Sequence, residues 1–122
     1  MKRSLIGIVL AITFPTLGSA QSAELVALVR EAQAQIGTEI APGASIAGVS
    51  LDGDQFNYLF RFDATRGARI DGGFPAQFAE VLGAGLCQQP PVNAFIRGGG
   101  VANVIIEDAS GSALHTRTVN RC

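Results

Sequence analysis

Between Gln55 and Phe62 the chain reads QFNYLFRF, with Phe56, Tyr58, Phe60 and Phe62 at every second position. That period belongs to a β-strand, whose successive side chains point to opposite faces of a sheet. Aromatic rings crowded on one side of a single strand have to be taken out of water, so the sheet containing it must be covered on that face. The stretch before it, SIAGVSL from Ser45 to Leu51, also alternates, and Asp52-Gly53 between the two is a favoured hairpin turn pair. Setting Leu51 opposite Asp54 places Val49 against Phe56 and Ala47 against Tyr58. The covered face then holds Ala47, Val49, Leu51 and the aromatic stripe; the other holds Ile46, Gly48, Ser50, Asn57, Leu59 and Arg61.

The cover comes from helices. Ala23–Ile36 carries Leu25, Leu28, Val29, Ala32 and Ile36 at helical spacing, with Ser22 as N-cap and Gly37 as the stop. Thr38–Gly43, containing Pro42, is read as a connection. Asp63–Gly73 is read as a polar loop with Arg66 and Arg69. A second helix opens with Pro75 at its first position and offers Phe78, Val81, Leu82 and Leu86 as its buried stripe. Pro90-Pro91 ends it, and PVNAFI adds a short helical stretch closed by Gly98.

Val101–Asp108 and Ser112–Cys122 form a second hairpin around Ala109–Gly111, with Gly111 in the left-handed position. Asp108 then pairs with Ser112, Ile106 with Leu114, Val104 with Thr116 and Ala102 with Thr118, so even-numbered residues of the last strand face the core. The order α-β-β-α-β-β predicts an α+β fold: one four-stranded antiparallel sheet with its helices packed on one face.

The first residues, MKRSLIGIVLAITFPTLGSA, have the form of a signal peptide. Lys2 and Arg3 are followed by the apolar run Leu5–Phe14, then Pro15, and small residues at Gly18-Ser19-Ala20. A membrane span needs roughly 20 apolar residues, more than Pro15 leaves here. Residues 1–20 are therefore read as a leader and residues 21–122 as one domain, periplasmic or secreted, with no stable membrane insertion after cleavage. Two cysteines in an exported chain read as a disulfide between Cys87 and Cys122, closing a long loop. In the chain-entropy account such a staple contributes about 4 kcal/mol, much of what a small domain has.

Charge narrows the partners. The whole chain is −1 and falls to −3 without Lys2 and Arg3, so the basic footprint of a nucleic-acid binder is missing. His115, the only histidine, falls on the open sheet face opposite Ile105, and no nucleophile lies at a spacing that pairs with it. Asp52-Gly53-Asp54 lacks the further oxygen ligands of a calcium loop. The glycines at 98–100 follow a helix, the wrong end for holding a phosphate. No enzyme and no cofactor is expected. What remains is a surface: Ile46, Leu59, Arg61, Ile105, His115, Arg117 and Val119 share the open face, an apolar centre with an arginine rim as in protein interfaces.

The last third, with Cys87, Pro90, Asp108, Gly111 and Cys122 in this order, resembles the β-sheet-containing (AspS-like) pilotins of type II secretion and related small periplasmic proteins. The resemblance implies an adaptor that binds a helical segment of an outer-membrane channel subunit. Those pilotins carry a lipidated cysteine at the mature N-terminus, where this chain has Gln21; fold and partner binding are implied, and membrane delivery is not. The expectation is a periplasmic accessory domain that binds an envelope protein through its open sheet face or a helix–sheet groove. The alternative is an exported inhibitor or immunity-type protein acting through the 63–73 loop.

Overall fold

The computed structural model describes residues 22–122; the expected leader and its cleavage point before Gln21 lie outside the described residues. Helix α1 spans Ala23–Gln33, and the Ser22 hydroxyl caps it by accepting from the Leu25 N–H at 3.1 Å. It ends three residues before Ile36, and Gly37 at φ +95° turns the chain toward the sheet. The Gly37 N–H then donates to the Ile46 carbonyl at 2.7 Å.

Strands β1 (Glu39–Ala41), β2 (Ala44–Asp52) and β3 (Gln55–Phe62) follow, then a single 3₁₀ turn at Ala64–Arg66. Helices α2 (Phe74–Cys87) and α3 (Pro90–Arg97) precede β4 (Val101–Asp108) and β5 (Ala113–Val119). The α+β architecture and the single disulfide are as expected. The sheet differs in two ways. It has five strands, because Glu39–Ala41 pairs with β2 instead of merely connecting; and it is mixed, in the order β1-β2-β3-β4-β5 with β3 and β4 parallel. Parallel neighbours need a crossover of a dozen or more residues. The segment from Asp63 to Gly100, with α2 and α3 inside it, returns the chain to the end where β3 began. There the Val101 N–H donates to the Asp54 carbonyl at 2.8 Å.

Both hairpin registers depart from the alternation. The first turn is Gly53-Asp54, with Asp52 opposite Gln55 and Leu51 opposite Phe56. Val49 and Leu51 remain on the aromatic face, but a bulge at Ala47 brings Ile46 opposite Phe60 and Ala44 opposite Phe62. Ile46 is therefore core, 3% exposed, not part of the open face. The second hairpin starts as expected: the Asp108 N–H donates to the Ser112 carbonyl, and Gly111 has φ +92°. A bulge at Leu114 then sets His115 opposite Ile106, Arg117 opposite Val104 and Val119 opposite Ala102. One extra residue exchanges the two faces of a strand, so His115, Arg117 and Val119 turn to the helix side, and Val119 is 6% exposed.

One hydrophobic cluster joins the helices to this side of the sheet. Leu25 and Val29 of α1, Ala79 and Leu86 of α2, and Val92, Phe95 and Ile96 of α3 meet Phe56, Phe60, Phe62, Val104 and Ile106. Phe78 stands edge-on to Phe62, ring centroids 4.9 Å apart, and to Phe60 at 5.7 Å. Such contacts add to the large apolar area each ring removes from water. Val81, expected in the buried stripe of α2, faces outward and is 71% exposed; Ala79 and Gly83 take the inner positions.

Candidate functional site

Helices α1 and α2 each pack on α3 but scarcely on each other. The space between them is a groove of about 430 Å³, walled by Leu28 and Ala32 on one side and Val81, Leu82, Gly85 and Leu86 on the other. Phe56 and Tyr58 of β3 form its floor, and Gln89 stands at one end. The walls carry no charged side chain. Along all of α2 the only charge is Glu80, which points to Arg117 on β5, its Oε1 3.3 Å from Nε. A helix this poor in charge has more apolar surface than one buried stripe uses, and the surplus lines the groove.

Tyr58 is the polar element of the floor. Its ring stacks on Phe60 at 4.5 Å and lies 6.1 Å from Phe56. Partial burial pushes its phenol above the ordinary value, because the charged phenolate loses hydration there. Among the described residues its hydroxyl has no hydrogen-bond partner. The site can therefore take an apolar surface and offer it one donor or acceptor.

The open face of the sheet has a different character. Thr118, Asn103, Asn57 and Ser50 form a hydrogen-bonded ladder across four strands, each link between 2.9 and 3.3 Å. Asn103 donates to Gln55 as well. Arg61 holds Glu107 through two guanidinium nitrogens, Nε at 2.9 Å. Of the residues expected to share this face, Leu59, Arg61 and Ile105 are there, half-buried or paired. Ile46 and Val119 are in the core, and His115 and Arg117 belong to the other side. The expected cluster is thus divided by the two bulges.

The 63–73 loop is held from within. The Asp63 carboxylate accepts from the Thr65 N–H and hydroxyl, and the Arg69 guanidinium lies 5.4 Å from the centre of the Phe74 ring. Arg66 and Ile70 remain exposed on it. Among the described residues no group of three or more His, Cys, Asp or Glu is placed to hold a metal ion, and no helix is long and apolar enough to cross a membrane.

The groove residues were missed in the sequence because Phe56 and Tyr58 read as core and Val81 as part of a buried stripe. The available signal was the composition of α2, whose apolar residues occupy more of its circumference than a one-sided helix needs.

No protein-family model and no curated protein matches the sequence. Solved structures do match the fold. A Pseudomonas aeruginosa protein described as secreted superposes with a TM-score of 0.66 at 15% identity, over 88% of this chain and 96% of that one. The pilotin EpsS of the Vibrio vulnificus type 2 secretion system gives 0.58 at 13% identity, over 77% and 84%. The type II secretion pilotin AspS of Vibrio cholerae gives 0.52 at 12% identity, over 79% and 91%. This chain has the fold of those pilotins. At such identities the likeness is one of architecture.

Proposed function

We propose that this chain is a non-catalytic, pilotin-like accessory protein of the periplasm, which binds an envelope protein by seating an apolar helical segment between α1 and α2. In this reading residues 1–20 are removed on export and residues 21–122 act as one domain without a lipid anchor. The observation that carries it is Val81. A valine 71% exposed at the rim of an uncharged groove floored by two aromatic rings is costly to leave in water and is covered when a partner binds. A helix laid in a groove by its apolar face is a recurring mode of recognition, and the pilotin fold supports it. The open sheet face is the weaker candidate, because its amides, hydroxyls and ion pair already satisfy one another.

The test is affinity capture from the periplasm with the disulfide intact, comparing the wild type with Val81→Arg and with Thr116→Arg, which lies on the open face opposite Ile105. Both positions are exposed, so an arginine at either leaves the fold alone, and only the one at Val81 places a charge in the groove. The expected result is a partner lost with Val81→Arg and retained with Thr116→Arg. The reverse pattern would move the binding surface to the open sheet face and overturn this reading.

A further inference from the structure

The wall of the groove formed by α2 is held from behind, by the strand and tail on its other side. Glu80 pairs with Arg117 of β5, and Gly83 lies so close to Val119 that a Cβ there would be 3.1 Å from Val119 Cγ2. Cys87, the last residue of the helix, is bonded to Cys122, with Cα atoms 5.6 Å apart. Beyond Gly83 these supports thin out. Ala84 and Gly85 are exposed, Leu86 is the one buried residue and itself lines the groove, and α1 offers almost no contact, so besides the bridge this end is held by α3, whose Asn93 Nδ2 donates to the Cys87 carbonyl at 3.0 Å. Two glycines in the last turns make this end of the helix intrinsically weak.

We propose that the Cys87–Cys122 bridge is a positioning device: it fixes the C-terminal end of α2 and thereby sets the width of the groove. Its consequence for binding rests on the functional reading above, but its effect on the groove can be measured without a partner. Tyr58 is the only tyrosine and the chain has no tryptophan, so ultraviolet titration of the phenol reports the groove floor alone.

The decisive variant inserts Gly-Ser-Gly-Ser between Val119 and Asn120. Both cysteines stay, the bridge forms, and closure entropy barely changes because it grows only with the logarithm of loop length. What is lost is the tautness of the tether. With a slack tether, the expected result is a fall of the Tyr58 phenol from its raised value toward about 10, and faster amide exchange in Leu86 and Cys87, while the thermal transition stays close to that of the wild type. A Leu25→Ala variant with the original tether controls for lost stability; it should leave the titration in place. An unchanged Tyr58 titration and unchanged exchange in the slack variant would overturn the proposal and leave the bridge a stabilising crosslink only. Retention of the partner by Val81→Arg would instead defeat the functional reading and leave this result standing.

Discussion

Gly83 of α2 and Val119 of β5 meet with no room between them: a Cβ on Gly83 would lie 3.1 Å from Val119 Cγ2 and 3.4 Å from Arg117 Cγ. Gly85, two residues on and so near the opposite side of the helix, has nothing within 4 Å of the same position. The two glycines should therefore respond oppositely to substitution. Gly85→Ala removes a poor helix former at an open site and should stabilise by up to about 1 kcal/mol. Gly83→Leu forces α2 off the sheet and should cost about 1–3 kcal/mol. Urea unfolding of the two variants measures both signs.

Removing the bridge acts on the unfolded chain as well as on α2. Cys87 and Cys122 are separated by 35 positions, and closing such a loop is worth about 4 kcal/mol in the chain-entropy account. The Cys87→Ala/Cys122→Ala variant should lose stability of that order in urea. The wild type should fall to the same midpoint when reductant is present throughout the titration.

These relationships also mark where sequence reasoning stopped. The aromatic alternation from Phe56 to Phe62, the Ser22 cap, the helix closed by Gly98 and the left-handed Gly111 were legible because each has a local physical signature. The bulges at Ala47 and Leu114 have none. A bulge asks for no particular side chain, yet each exchanges the faces of everything beyond it. Alternation alone therefore puts Ile46 and Val119 at the surface and Arg117 beside Arg61, where the bulges bury the first two and set the two arginines on opposite faces. The short β1 lay between Gly37 and Pro42 with too few residues to alternate. The parallel pairing of β3 with β4 depends on where two helices return the chain, which no local pattern records. Two cysteines in a chain read as exported are enough to predict the Cys87–Cys122 bridge, although β5 ends at Val119 and its facing gives Cys122 no direction.

The ion pair on the open face gives an asymmetric prediction. Glu107 is 9% exposed, whereas the Arg61 side chain is 47% exposed. Removing the arginine leaves a buried carboxylate without its counter-charge, which costs more than the pair itself contributes. Glu107→Gln keeps an oxygen that can accept from the guanidinium and removes the charge that needed it. Arg61→Ala should therefore destabilise by about 1–3 kcal/mol, and Glu107→Gln by clearly less, as read from urea midpoints at neutral pH.

Asp108 links the second hairpin to pH. A single oxygen of its carboxylate, Oδ1, accepts from the Ser110 hydroxyl at 2.6 Å and from the N–H groups of Ser112 and Ser110, each at 2.9 Å. The Ser110 hydroxyl first, and then the Ser112 N–H, stabilise the charged form and hold the carboxyl below its ordinary value. A group with a lower pKa in the folded state favours folding above its unfolded value, about 3.9. That contribution disappears as the pH falls from there through the lower folded value. The wild type should lose stability over this acid window. Asp108→Asn keeps an accepting oxygen but cannot titrate, so its stability should depend less on pH across the same range. Urea midpoints of both proteins, taken from neutral pH down through the window, test this; parallel curves would mean that the turn carboxylate is not among the groups linking folding to acid.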